Sequence, residues 1–263
     1  MAQYVRVIID ATTQSWGSYA PRNVRPTLNH PSRSGVVGTV GNALGLDRSQ
    51  TTELDNLHHH LRVSSRVLRR GRILRDYHNK NVCPTAKEGG EPWDKQVAKG
   101  GKNVLKAAHN RRKALLAPAS SGNKTSERYY LNEWAFQVVI EVLPGCYVSA
   151  EEIIAALDNP ARGLHCGRKS CIPLRPLVES DSQPFEADTP MDAFCTVEPL
   201  ANMDYPLGDP SGALLAHLDV TGDISVPGCQ VVPEIIYDAC RSVNGRVFDP
   251  RQVLHITRTK KEG

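Results

Sequence analysis

The stretch 79–126 constrains this chain more than any other feature. It separates two runs with strand periodicity and is itself rich in Lys, Gly and Asn, with one short helical pattern at "KNVLKAAHNRRKALL" (102–116). A connection that long is uncommon inside a compact domain unless it serves a function or is an insertion. Around it the periodicities read in a fixed order. "QYVRVIID" (3–10) alternates as a strand, and 11–35 reads as a long loop. Helical spacing over 34–46 follows, with Ser32 or Ser34 as N-cap, then a second helix over 49–61 opened by Ser49 or Thr51. "LRVSSRVL" and "GRILRDY" alternate again, and Arg70–Gly71 between them reads as the turn of a hairpin. Beyond the insertion come a long strand over 128–143 and a helix over 149–160, with Ser149 and Glu152 at capping-box spacing. A basic Gly-containing loop leads into a strand over 164–177, and the acidic, Pro- and Gly-punctuated remainder reads as short strands ending in "VLHITRT" (253–259). The order β, α, β-hairpin, insertion, β, α, β predicts an α+β sandwich of the ferredoxin or RNA-recognition kind.

Charge gives the insertion a purpose. From Arg62 to Arg128 there are 17 Lys and Arg against 5 Asp and Glu, a net +12, while 176–250 carries 2 basic and 13 acidic residues. The whole chain nets only +4. A single-sign block of this size in an otherwise acidic chain fits a polyanionic partner, and nucleic acid before a membrane surface. No apolar run reaches the ~18–20 residues of a membrane span, and the mean hydropathy of -0.37 fits a soluble protein. The seven scattered cysteines do not form a disulfide framework, and "MAQYVRVIID" lacks the plan of a signal peptide, so a cytoplasmic location is expected.

Several motifs admit two readings. Glycines 35, 38, 41 and 45 look like a phosphate loop but lack the Lys-Ser/Thr pair, and read better as a stripe that lets a helix lie close to a sheet. The helix start is different: Arg33, Ser34 and unpaired backbone N–H groups there offer a phosphate site. Histidines 58–60 cannot face one point of a helix, and Cys166 and Cys171 lack a second ligand pair, so no metal and no cofactor is expected. "HNRRK" (109–113) reads as a phosphate grip or as an acid/base for RNA cleavage. "GRKS" (167–170) reads as a backbone-binding loop or as an ordinary turn with exposed charges. In "LRDYH" (74–78), Arg75, Tyr77 and His78 are either an acid/base site or a surface that grips phosphate and stacks on a base.

"QSWG" (14–17), "RPTLNHPSRSGVVGTVGNALGL" (25–46), "LRVSSRV" (61–67), "LRDYH" (74–78), "RYYLNEWAF" (128–136) and "HCGRKSCIPLRPL" (165–177) occur in this order. Together they resemble the CasD family of subunits of type I-E CRISPR Cascade complexes, within the RAMP superfamily, over residues 3–178. The resemblance implies a RAMP domain (an RNA-recognition, ferredoxin-like fold) over 1–178 with a protruding basic thumb at 79–126, and a small β-rich C-terminal region over 179–263. It implies a non-catalytic subunit that holds the 5′ handle of the CRISPR RNA and caps the complex for antiviral DNA targeting. Its neighbours would be the CasC backbone subunit, the CasA large subunit and, through the complex, other Cascade subunits and target DNA.

Residue by residue, the implied RNA contacts are Arg25, Arg33 and Ser34, then Arg75, Tyr77 and His78, then Arg168, Lys169 and Ser170. Lys102, Lys106, Arg111, Arg112 and Lys113 are the candidates in the thumb. Trp16 reads as a core anchor or a stacking platform, and Asp76 as the group that orients Arg75 or His78, or as the end of a strand. Two other functions compete. One is a metal-independent endoribonuclease that processes precursor CRISPR RNA, with Tyr77, His78 or His109 as acid or base and Lys169 or Arg168 on the phosphorane. The other is a purely structural assembly subunit.

Overall fold

The computed structural model describes residues 2–17, 23–80, 124–196, 215–219, 229–242 and 247–258. Lys102, Lys106, Arg111, Arg112 and Lys113, with His109, lie outside the described residues. The elements in chain order are β1 (Ala2–Asp10), β2 (Thr13–Gln14), β3 (Val24–Arg25), α1 (Arg33–Ala43), α2 (Thr51–His60), β4 (Leu61–Arg69) and β5 (Arg72–Lys80). After the undescribed stretch come β6 (Lys124–Asn132), β7 (Ala135–Val142), α3 (Ala150–Asp158), β8 (Phe185–Ala187), α4 (Pro190–Thr196), β9 (Leu215–Leu218), β10 (Cys229–Ser242) and β11 (Val247–Arg258).

A seven-stranded sheet runs β10-β11-β9-β4-β7-β1-β8, and a second sheet joins β2, β6 and β3, with β5 on β6. Every pairing is antiparallel except β3 on β6. Strands β8 to β11, from the acidic remainder, extend the main sheet at both edges.

The central strands bury both faces, which their apolar runs require. Val5, Val7 and Ile9 of β1 join Phe136, Val138 and Ile140 of β7 in a core that α1, α2 and α3 cover. Tyr4 and Val139, pointing the other way, pack with Phe194 of α4 and with Leu218, Leu254 and Ile256 of the C-terminal strands. Ser32 caps α1 by accepting the Gly35 N–H, and Ser149 with Glu152 forms the full capping box of α3. Cys146, Cys166, Cys171, Cys195 and Cys229 are unpaired, and among the described residues no helix is long and apolar enough to cross a membrane.

Four local expectations give way. β4 and β5 are not a hairpin: β4 pairs with β7 and β5 with β6, so each lies against the returning chain. Arg69 faces Ala135 and Arg72 faces Asn132, so one long ladder bends from the first sheet into the second. The bend falls at Gly71, where a Cβ would sit 1.9 Å from the Asn132 carbonyl oxygen, and at Glu133, whose φ is 60°. That same bend breaks the expected 128–143 strand in two. The glycine stripe on α1 is uneven as well. Gly35 lies on Trp16 and Gly41 on Leu54 of α2, while Gly38 faces open space, so the helix uses glycine for two separate contacts. Residues 171–178 run beside β1 through two hydrogen bonds without forming a strand.

Candidate nucleic-acid interface

Three segments converge because two glycines let them. Trp16 is fully buried, its indole N–H donates to Gln14 Oε1 at 3.0 Å, and its backbone N–H donates to Thr27 Oγ1 at 2.8 Å. It is the core anchor, not a stacking platform. Gly35 sets the first turn of α1 directly on it, since a Cβ there would lie 2.9 Å from Trp16 Cε3. Gly167, at φ +94°, presses the basic loop onto the same segment, where a Cβ would meet the Ser15 carbonyl oxygen at 1.8 Å. No L side chain fits that position. Between these segments lies a groove of about 510 Å³ lined by Ser15, Gly17, Arg25, Ser34, His58, Arg168 and Phe248, among others.

The groove's cations lack carboxylate partners among the described residues. Arg25 on β3 stands in register beside Arg128 on β6, and its guanidinium makes no hydrogen bond or ion pair among the described residues. Arg168 lies 4.8 Å over the Tyr130 ring, a cation–π contact that fixes its guanidinium while leaving its donors available. Arg168 Nη1 and Arg128 Nε are buried without a hydrogen-bond acceptor. A buried charged donor left unpaired costs about 1–3 kcal/mol or more, so an acceptor arriving there recovers that cost. Lys169 and Ser170 follow on the exposed rim of the loop.

Arg33 and Ser34 adjoin in sequence and part company in space. Ser34 lines the groove. The Arg33 guanidinium donates to the His58 carbonyl at 2.7 Å, and its Nε lies 3.7 Å from Asp219. Asp238 of β10 accepts the Arg33 backbone N–H at 2.7 Å and also grips Arg251 at 2.5 and 3.0 Å, while Arg251 reaches Asp219 at 2.9 Å. The helix start expected to offer unpaired N–H groups therefore has those of Arg33, Gly35 and Val36 already engaged. His58 beside it is pushed down to about 4, by burial and then by the Arg33 charge, so its ring is neutral near pH 7. His59 and His60 bond the Asp55 and Asn56 carbonyls one turn back.

On the β5–β6 ribbon, Arg75 makes a two-pronged pair with Glu127 at 2.6 and 3.1 Å, and Tyr129 donates to the same carboxylate at 3.1 Å. Glu127, not Asp76, orients Arg75, and that hydrogen bond holds the Glu127 carboxyl below its usual range. Asp76 instead accepts a short hydrogen bond from His78 Nε2. Adjacent strand residues point to opposite faces, so Tyr77, 58% exposed, and His78 do not converge on one atom.

The residues that the motif reading passed over are Ser15, Gly17, Arg128, Tyr130, His58 and Phe248. The first four lie inside the quoted motif blocks and were within reach of it. Phe248 enters from β11, and no local pattern marks it.

A family model described as CRISPR-associated protein (Cas_Cas5) matches residues 4–203. The chain is 26% identical over 218 residues to the CRISPR system Cascade subunit CasD of Escherichia coli (strain K12), covering 78% of this chain and 81% of that protein. A solved structure described as the crystal structure of a Cas protein superposes with a TM-score of 0.60 at 22% identity, over 98% of this chain and 96% of the other. A chain of a CRISPR RNA-guided surveillance complex gives a TM-score of 0.55 at 21% identity, over 97% and 88%. The structural likeness establishes a shared fold, mixed α/β with antiparallel sheets, and the family match spans most of the sequence: the chain belongs to the CRISPR-associated protein (Cas_Cas5) family.

Proposed function

We propose that this chain is a non-catalytic RNA-holding subunit of a Cascade-type complex, which grips the single-stranded 5′ handle of the CRISPR RNA and caps one end of the assembly. The observation that carries the reading is the groove at Arg25, Ser34 and Arg168, where guanidinium donors stand without carboxylates among the described residues. Single-stranded RNA is held by cations along its phosphates and by groups that meet splayed bases. Tyr77 on the ribbon and Phe248 at the groove are exposed aromatic faces available for stacking. The order β4-β7-β1, with α1 and α2 before β4 and α3 after β7, supports reading 1–178 as an RNA-recognition-like RAMP domain, whose sheet β8, just beyond 178, extends on β1. In this reading 79–126 is a basic thumb carried by the β5–β6 ribbon, and 179–263 is the small β-rich C-terminal region. CasC and CasA are the neighbouring subunits, and target DNA is met through the complex. Exposed Ile235 and Tyr237 on edge strand β10 suit contact with a neighbouring subunit.

The test is the purified chain with labelled repeat RNA and mature guide RNA, with and without EDTA, following retention and length together. Retained, full-length RNA with preference for the handle supports the proposal. RNA shortened even in EDTA, with cutting abolished by His78→Ala, would restore the ribonuclease reading, against which the divergence of Tyr77 and His78 speaks.

A further inference from the structure

We propose that His30, His217 and Glu234 form a binding site for one divalent transition-metal ion of the zinc type, a clasp between the start of α1 and the C-terminal strands. The three come from separate parts of the chain: the loop that leads into α1, strand β9 and strand β10. One ligand atom from each lies within 4.8 Å of the others. Donor atoms on a shell of about 2.1 Å radius stand at most about 4.2 Å apart, so the gap to a bound geometry is a small side-chain adjustment.

The two histidines are poised in a way that core histidines seldom are. His30 is 2% exposed and His217 3% exposed, yet His30 Nε2 and His217 Nδ1 have no hydrogen-bond partner. Buried ring nitrogens are ordinarily satisfied, and exceptions call for an explanation. For His30 the tautomer is fixed by its other nitrogen. Nδ1 lies 3.1 Å from the Pro31 carbonyl, which can only accept, so the proton is on Nδ1 and Nε2 presents a lone pair. A ligand histidine held through its second nitrogen by a carbonyl is the usual outer-shell arrangement of protein metal sites.

The rings of His30 and His217 stack at 3.9 Å with 20° between their planes, and His255 tilts against His217 at 4.5 Å. Capture of the ion requires the stack to open by a modest ring rotation. Glu234 is exposed and so can swing in. The nearby cations Arg33 and Arg251 are already neutralised by Asp219 and Asp238, which removes the charge that would repel a dication. Two imidazoles and one carboxylate, leaving a position for water, suit zinc and its neighbours rather than magnesium or calcium, which favour all-oxygen sets. The clasp would steady the loop that leads to Ser32 and Ser34, and with it one wall of the groove.

The test is a titration of the EDTA-stripped full chain with Co²⁺ alone, read by visible ligand-field absorption, with thermal melting on Zn²⁺ as the second readout. Glu234→Gln is the key variant, because the residue is exposed and the chain should fold normally; His217→Gln is the second. The expected result is one equivalent bound, a rise in Tm on Zn²⁺, and affinity reduced at least about tenfold in either variant. Failure to bind Co²⁺ overturns the proposal. So does binding that is unchanged in both variants, which would put the ion on other groups such as His58–His60, or a thiolate charge-transfer band, which would put it on the cysteines.

Discussion

Two sets of arginines lie on either side of the α1 start and have opposite fates. Arg33 and Arg251 are buried and share Asp219 and Asp238, so their charge is matched inside the fold. Arg25, Arg128 and Arg168 meet no carboxylate among the described residues; a buried donor without an acceptor occurs in both sets, on Arg128 and Arg168 here and on Arg33 and Arg251 there, so the carboxylates are the difference. The difference lies in where the acidic C-terminal strands reach. The ends of β9 and β10 bring carboxylates to one side of the helix start, and among the described residues the groove side receives none. An arginine's function here depends on whether a distant aspartate arrives, and its local motif does not record that.

Breaking the matched set has the largest expected effect. Asp238→Ala leaves Arg251 with Asp219 alone and strands the Arg33 N–H in a buried site, and should cost about 3 kcal/mol in a urea unfolding titration. A loss under 1 kcal/mol would mean that the network is not what secures the C-terminal strands. Gly167→Ala comes next. Its left-handed backbone and the Ser15 carbonyl at 1.8 Å predict about 1–3 kcal/mol of strain, with weaker RNA binding as the loop lifts from the groove. Unchanged affinity in that variant would detach the loop from the site.

The smallest expected effect is on pH. His58 has its folded pKa lowered to about 4 from 6.5, so the unfolded chain binds the proton first as pH falls. The stability this neutral ring permits is complete above pH 6.5 and is lost progressively down to about 4. His58→Gln should therefore remove about 1–2 kcal/mol of the acid destabilisation seen at pH 5. Equal Tm slopes against pH in the two proteins would place the acid sensitivity elsewhere.

The sequence was informative wherever the determinant was local. Ser32 and the Ser149–Glu152 box mark helix starts through their own backbone, and the alternation of 3–10 marks a strand. What it hid was long-range. Strands 61–69 and 72–80 look like a hairpin because alternation shows that a run is extended but not what it pairs with; their partners lie beyond the insertion. The groove was half legible. Arg25, Ser34 and Arg168 stood out in motif blocks, whereas Phe248 and the quenching of Arg33 by Asp219 depend on strands some two hundred residues away. The His30, His217 and Glu234 cluster has no spacing signature for the same reason.

The measurement that bears most directly on the central claim is the salt dependence of RNA binding for three proteins: the parent chain, the Arg25→Ala/Arg168→Ala double variant and Arg33→Met. With about six phosphates met, log K against log[salt] should fall with a slope of about −4, at ~0.7 per phosphate on a single strand. The double variant should lose about 1.4 of that slope, while Arg33→Met should keep it and lose only stability. A double variant with the parental slope, or an Arg33→Met chain with a reduced one, would contradict the account, because the phosphates would then be meeting the other set of arginines.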